Sequence, residues 1–277
     1  MEKKWIFILI GNALVLRMVY NAQSVNNASE NKAWERGLPS MPRMESFSEF
    51  DKITQEVYSH DICKKDDNKS GRIQRELDLD KWREHNTGGG LHDLDRKMLA
   101  KYYSRANAVF EWGLGESTAM AGYFNVTRYA GVDSDAKWVS DARDKCPTHF
   151  RLSFADIGRT HNYGRPVQKL QKNQYDYVVA PLISEQCPFD VYLVDGRFRV
   201  ACGLMALLHA SKHWHDTTIL MHDFTSPNQA HESYKEILRV CNKVDFSGNS
   251  LVALKRMGNV TDEMIHEMYL EFGSNSA

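Results

Sequence analysis

The sequence predicts an α/β fold: a mostly parallel sheet with helices on both faces, finished by a C-terminal antiparallel hairpin. Three observations carry this. Short apolar runs rich in β-branched and aromatic residues alternate with segments of helical period through the C-terminal two-thirds of the chain. The first run, Val109-Phe110, passes into Glu111-Trp-Gly113-Leu-Gly115-Glu-Ser117 and then into Ala119–Phe124 at helical spacing, which is a strand, a glycine turn and a helix start. The last two runs, Lys243–Phe246 and Ser250–Arg256, flank the turn Ser247-Gly-Asn249. Glycines at 113 and 115 let the backbone turn tightly and approach a ligand, and the helix start offers free N–H groups. The third glycine of a dinucleotide fingerprint is replaced by Thr118, so the turn alone suits an ordinary strand-to-helix connection equally well.

The 277 residues suit one α/β domain with extensions, and 42% hydrophobic content is ample for its core. Lys and Arg number 35 against 36 Asp and Glu, so no global field points to nucleic acid or an anionic membrane. Lys3-Lys4 precede the apolar run Trp5–Leu16, and Ala22-Gln23-Ser24 offers small residues for cleavage. Residues 1–24 therefore read as a secretory signal peptide, with an uncleaved signal anchor second and a buried helix third. A membrane partner follows only from the anchor. Sequons at Asn27, Asn68, Asn125 and Asn259 agree with secretory entry. Five cysteines, at 63, 146, 187, 202 and 241, allow two disulfides and one free thiol, with no Cys-x-x-Cys to suggest zinc. Cys202 lies in an apolar helix and reads as a buried thiol.

Residues 25–88 read as a polar stalk to Pro42 followed by a helical extension, in which Phe47, Phe50, Ile53 and Val57 share a helix face and Leu77, Leu79 and Trp82 mark a second short element. Gly88-Gly-Gly90 is a boundary, placing the main domain at 89–260 and a tail at 261–277. A helix Leu91–Tyr103, with Leu91, Leu94, Met98, Leu99 and Tyr102 inward, feeds the strand Ala108–Trp112. Strand Thr127–Asp133, helix Ala136–Lys145 and strand Phe150–Phe154 follow, then a polar insertion Gly158–Asn173 and an apolar stretch Tyr175–Leu182 of ambiguous type. Strand Phe189–Asp195, helix Val200–His213, strand Thr217–Asp223 and a helix around Ser233–Val240 lead into the hairpin.

In an open parallel sheet, ligands bind beyond the carboxyl ends of the strands. Gly113 and Gly115, Asp133, Asp156, Asp195 and His222-Asp223 all fall there, although each acid alone would also serve as a helix cap. Asp133, twenty residues past Gly113, suits a ribose diol, with a turn-forming role as the competing reading. Asp156 suits an adenine amino group or a loop cap equally.

Glu111-x-Gly-x-Gly-x-Ser117, Gly131-Val-Asp133, Ala155-Asp156, Val194-Asp-Gly196 and Met221-His-Asp223, in this order, resemble an S-adenosylmethionine-dependent methyltransferase of the Rossmann-like class over roughly 105–257. Val194-Asp-Gly-Arg197 with His222-Asp223 and Tyr234 is also similar to the plant glucuronoxylan 4-O-methyltransferases of the Golgi. The chain departs from that family in lacking a Pro after Asp-Gly and in having Val200-Ala-Cys-Gly-Leu-Met205 where the family has Pro-Gly-Arg-Met. The resemblance implies a sheet of about seven strands. It implies S-adenosylmethionine held by Glu111, Gly113, Gly115 and Ser117 at its methionine part, by Asp133 at the ribose, and by Asp156 with Ile157 at the adenine. It further implies methyl transfer to oxygen in a glycan or small hydroxylated acceptor, in a secreted or Golgi-lumenal enzyme.

Such transfer needs a base, with Asp195 first and His222 and Asp223 next; His222 has the chemistry to accept a proton near neutral pH. Asp195 and Asp223 also suit Mg²⁺, a hard cation that keeps much of its hydration. Arg197 and Arg199 suit an acidic acceptor, or a solvated loop. The competing functions are an inactive secreted binding protein of the same fold and a nicotinamide-dependent oxidoreductase, the latter opposed by Thr118 and by the lack of a Tyr-x-x-x-Lys pair.

Overall fold

The computed structural model describes residues 5–10, 13–18, 76–85, 90–161, 166–167, 171–185, 187–225 and 229–272. Seven strands form one sheet: β3 (Ala108–Trp112), β4 (Arg128–Asp133), β5 (Arg151–Phe154), β6 (Val191–Val194), β7 (Thr218–Met221), β8 (Cys241–Phe246) and β9 (Val252–Arg256). Their order is β5-β4-β3-β6-β7-β9-β8, parallel except for β9, which is antiparallel to both β7 and β8. The order reverses between β3 and β4 on one side and β6 on the other, which opens a crevice above their carboxyl ends. This is the mostly parallel sheet with a terminal hairpin that the alternating runs predict.

The helices are α1 (Leu79–His85), α2 (Asp93–Tyr103), α3 (Glu116–Tyr123), α4 (Ala136–Lys145), α5 (Gln171–Val178), α6 (Ala180–Ser184), α7 (Arg199–Ala210) and α8 (Asp262–Phe272). Side chains alternate across the pleat, so each central strand feeds two cores. Phe110, Trp112, Tyr192, Val194, Ile219 and Met221 belong to the core that holds α7 and α8. Val109, Leu193 and Leu220 belong to the opposite one, with Leu99 and Tyr103 of α2 and Met120 of α3.

All twelve residues of α7 are buried, which a helix can tolerate only when a second layer covers its outer side. That layer is the 3₁₀ segment Gln229–Arg239 together with α8, whose Ile265, Met268 and Tyr269 join the core. Residues 262–272, which the sequence assigns to a tail, are thus part of the domain. The ambiguous stretch 175–182 is helical, in α5 and α6. The segment around Ser233–Val240 is 3₁₀ rather than α.

In α2 the inner face differs from the apolar pattern. Leu94 is 47% exposed, whereas Asp95 is buried together with Met98, Leu99 and Tyr103. The Phe47–Val57 helix lies outside the described residues. The N-terminal apolar run holds a separate antiparallel ladder, β1 (Trp5–Ile10) with β2 (Ala13–Met18), outside the seven-stranded sheet. Among the described residues no helix is long and apolar enough to cross a membrane. Cys187 is disulfide-bonded, while Cys146, Cys202 and Cys241 are free thiols, Cys202 being buried as its apolar helix predicts.

Candidate active site

The glycine turn is built from below. Glu111 ends up wholly buried beneath the loop, where its carboxylate accepts Tyr103 Oη at 2.5 Å, Ser117 Oγ at 3.0 Å and Thr118 Oγ1 at 2.9 Å. Burial drives its pKa up to about 7, against the pull of those hydroxyls. Glu111 and Ser117 therefore shape the loop from inside rather than face a ligand. Thr118, which breaks the dinucleotide fingerprint, braces the turn in the missing glycine's place, its hydroxyl accepting Gly115 N–H at 3.0 Å while donating to Glu111.

Gly113 adopts φ +91°, and a Cβ there would stand 2.8 Å from the Asp195 carbonyl carbon and the Gly196 nitrogen. The close crossing of β3 and β6 ends thus requires glycine at 113. Gly115 differs, since a Cβ there would meet no atom within 4 Å. The space above that position is open.

Asp133, at the end of β4, accepts Leu114 N–H at 2.7 Å and Asp135 N–H at 2.8 Å, one on each oxygen. It pins the glycine turn to the neighbouring strand, and burial raises its pKa to about 6 despite these bonds. Asp156 is exposed and accepts Gly158 N–H at 2.8 Å, which is the loop-cap geometry.

Beyond β6 and β7 lies the densest charge cluster. His222 Nδ1 is 2.9 Å from Asp195 Oδ1 and 3.6 Å from Asp223 Oδ1. On its other side His222 Nε2 faces Asp95 Oδ2 at 3.6 Å. Arg199, buried at the start of α7, spans Asp195 at 3.2 Å and Asp223 at 2.9 Å, donates to the His222 carbonyl, and lies over the Tyr234 ring at 5.3 Å. Burial alone would lower the His222 pKa, but Asp195, Asp95 and Asp223 outweigh it and push the imidazole up to about 10. These three acids favour the protonated imidazole, which weighs against His222 as the group that takes a proton near neutral pH.

Asp195 shows the converse. Burial works against its charge, and His222 with the two arginines holds its carboxyl below the ordinary carboxylate range. Three carboxylates (Asp95, Asp195, Asp223) thus face one imidazolium and one guanidinium (His222, Arg199), with Arg197 near enough to add its positive charge.

Asp223 and Phe198 both sit in the left-handed backbone region, at φ 58° and 55°. Non-glycine residues held there mark strain, and strain of this kind gathers at functional sites. Ligand atoms of Asp195, His222 and Asp223 lie within 4.8 Å of one another, close enough to share one cation. Arg197 is half-buried, and its backbone N–H meets Tyr177 Oη at 3.4 Å. Arg199 is no acceptor-binding group, since its guanidinium is already committed within the cluster.

Sequence reasoning misses Asp95. Its carboxylate gathers Ser247 Oγ at 2.6 Å, Asn249 Nδ2 at 2.6 Å and Leu251 N–H at 2.9 Å from the hairpin turn, while backing His222. These donors and His222 hold it far below the usual carboxylate range although burial opposes ionisation. An Asp among Leu94, Met98 and Leu99 reads as solvent-facing, and the signal that identifies it is spatial. The N-terminal extension also reaches the loop: Trp82 Nε1 donates to Glu116 Oε1 at 2.7 Å, and Arg96 binds the same carboxylate at 2.5 Å.

Sheet order and site position together define a Rossmann-like methyltransferase fold. Among solved structures, a methyltransferase-like protein from Silicibacter pomeroyi superposes with TM-score 0.53 at 22% identity, over 68% of this chain and 97% of that one. The methyltransferase MycE of mycinamycin biosynthesis, bound to Mg and S-adenosylhomocysteine, matches at TM-score 0.37 and 15% identity, over 66% of this chain and 49% of its own. A TDP-rhamnose 3′-O-methyltransferase of calicheamicin biosynthesis matches at TM-score 0.39 and 12% identity, over 78% and 97%. No protein-family model and no curated protein matches the sequence.

Proposed function

We propose that this protein is an S-adenosylmethionine-dependent O-methyltransferase of the secretory pathway, acting on a glycan or small hydroxylated acceptor. The observation that carries the proposal is the convergence of a charged, strained cluster with an open glycine turn at the crevice where the strand order reverses. The residues present fit the cofactor. Gly115 leaves room above the loop, Asp133 presents a buried carboxylate beside it, and the partly exposed carboxylates of Asp195 and Asp223 suit a cationic sulfonium. When bound, S-adenosylmethionine supplies an electrophilic methyl group.

The chain's own residues do the rest. Asp133 would accept from the ribose hydroxyls, and the loop that Glu111 braces would hold the methionine end. Asp195 would receive the proton that an acceptor hydroxyl loses as its oxygen is methylated. Oδ1 of Asp195 is engaged by His222 and Arg199, which leaves Oδ2 for that hydroxyl. His222, clamped between Asp95 and Asp195, orients the base instead of acting as one. The convergence of three ligand atoms favours a second version of the same chemistry, in which Mg²⁺ held by Asp195 and Asp223, with His222 after loss of its proton, would acidify the acceptor hydroxyl.

Support for the secretory route comes from the charged and apolar N-terminus, from exposed sequon asparagines at 125 and 259, and from the Cys187 disulfide, which suits an oxidising lumen. Endoglycosidase treatment of the protein expressed in a eukaryotic host should shift its mobility.

Calorimetry with S-adenosylmethionine and S-adenosylhomocysteine tests the central claim. Binding that is lost in Asp133→Ala supports it. No heat with either ligand leaves the binding-protein alternative standing.

A further inference from the structure

A buried amide on α5 stands without partners. Gln174 is 1% exposed, and neither its Nε2 nor its Oε1 makes a hydrogen bond. Among the described residues it is the one side chain with both a donor and an acceptor orphaned in this way. Burying such a group without compensation is costly, so a buried amide with both ends free calls for a ligand that satisfies both.

Its position says where that ligand lies. Gln174 precedes Tyr177 by one turn and shares its helix face. Tyr177 marks the carboxyl ends of the central strands: its carbonyl accepts Trp112 Nε1 at 3.0 Å and its hydroxyl meets Arg197 N–H at 3.4 Å. Burial raises the Tyr177 phenol and the Asp133 carboxylate adds to the shift, while the hydroxyl lies so close to Gly196 that a Cβ there would stand 1.9 Å from it. From Tyr177 the chain descends through α6 toward the start of β6. Gln174 lies one turn nearer than Tyr177 to the amino end of α5. Ile157, at the end of the loop after β5, packs in the same apolar cluster as Tyr175 and Tyr177. Asp156, by contrast, is exposed and already caps Gly158.

We propose that Gln174 reads the adenine edge of the adenosyl cofactor, its Oε1 accepting from the exocyclic amine and its Nε2 donating to an adjacent ring nitrogen. A neutral amide offers this acceptor and donor pair side by side, which a carboxylate does not. The assignment rests on the methyltransferase reading and moves adenine recognition from Asp156 to α5.

The test is calorimetry of the full chain, Gln174→Leu and Asp133→Asn with two ligands: S-adenosylhomocysteine and its purine analogue lacking the 6-amino group. The unmodified chain should bind the analogue about tenfold more weakly, the effect of one buried hydrogen bond. Gln174→Leu should bind both ligands with equal, reduced affinity, while Asp133→Asn should weaken both and keep the ratio. Ligand-free Gln174→Leu should melt no lower than the unmodified chain, because it removes an orphaned amide. Should Leu prevent folding, Gln174→Met, an unbranched side chain, supplies the same comparison. Unchanged discrimination in a folded Gln174 variant overturns the adenine assignment alone. Failure of the unmodified chain to bind either ligand overturns the methyltransferase reading and this assignment with it.

Discussion

The sheet carries buried charge at both ends, and the two clusters are built differently. At the amino ends of the strands, Arg128 donates to the carbonyls of Cys187 and Pro188 and lies over the Phe189 ring at 4.2 Å, while Arg151 pairs with the buried Glu185. Asp190 accepts the N–H groups of Asn107 and Ala108 at 2.7 and 3.0 Å, and His209 meets Tyr192 Oη at 2.5 Å. Apart from Glu185 Oε1, which is buried without a hydrogen-bond partner, these groups are occupied by backbone and by one another, stapling strand starts together. At the carboxyl ends, three carboxylates converge on one imidazole and one guanidinium, two nearby residues have left-handed backbones, and open space adjoins Gly115. Burial of charge is therefore common to a strut and a site. Convergence, strain and an open neighbour distinguish them.

The sharpest break should come from Arg199→Met. It leaves Asp195 and Asp223 without their buried cation and should cost about 3–5 kcal/mol in denaturant unfolding, the range for breaking a buried ion pair. Arg151→Met at the other end removes a side chain 36% exposed to solvent from a carboxylate that keeps Arg128 at 3.5 Å, and should cost less than Arg199→Met. Equal losses would erase the distinction.

Asp195→Asn should abolish methyl transfer, by about 10²-fold or more, with S-adenosylhomocysteine affinity nearly unchanged. Glu185→Gln should leave turnover per folded molecule as it was. If turnover survives Asp195→Asn, the carboxyl-end cluster is only another strut.

The glycines divide stability from binding. Gly113→Ala, forced into a positive φ against the Asp195 and Gly196 backbone, should lower stability by about 1–3 kcal/mol. Gly115→Ala should hardly change the melting temperature yet weaken cofactor binding, which calorimetry and thermal melts separate.

The smallest effect is the pH profile. Glu111 and Asp133 have folded pKa values of about 7 and 6, and His222 of about 10, each above its ordinary value of 4.5, 3.8 and 6.5. Groups raised on folding favour the folded state below their unfolded pKa and lose that contribution as pH rises through the folded value. Melting temperature should therefore fall as pH rises, between about 4 and 7 through the two acids and between about 6.5 and 10 through His222. In Glu111→Gln the lower limb should flatten, and in His222→Gln the upper one.

Much of the fold is legible in the residues because it rests on local rules. Alternation of runs places β3 to β7, and the Gly-containing turn at 247–249 places the hairpin. The carboxyl-end acids fall into line because strand ends can be counted. What escapes depends on tertiary neighbours. Asp95 points inward only because the hairpin turn brings five donors to it, and Glu111 looks like a ligand group until Tyr103, Ser117 and Thr118 close around it. Arg199 and Arg197 are two residues apart, yet one is buried in the cluster and the other half-buried, a difference that helix geometry sets and residue type does not. The domain runs past residue 260, because α8 packs Ile265, Met268 and Tyr269 into the core.

Asp95 also ties the first helix of residues 89–260 to the last hairpin. One carboxylate on a helix ahead of the sheet strands holds both the last hairpin and the histidine beside the proposed base, so segments about 150 residues apart are fastened at the place where chemistry is proposed. A shortened protein starting at β3 would keep every strand and every glycine of the sheet and lose this fastening, together with Tyr103 beneath Glu111 and Trp82 above Glu116. Trimming for crystallisation or display should start no later than α1, and a library that varies residues 76–103 would alter the site without touching a strand.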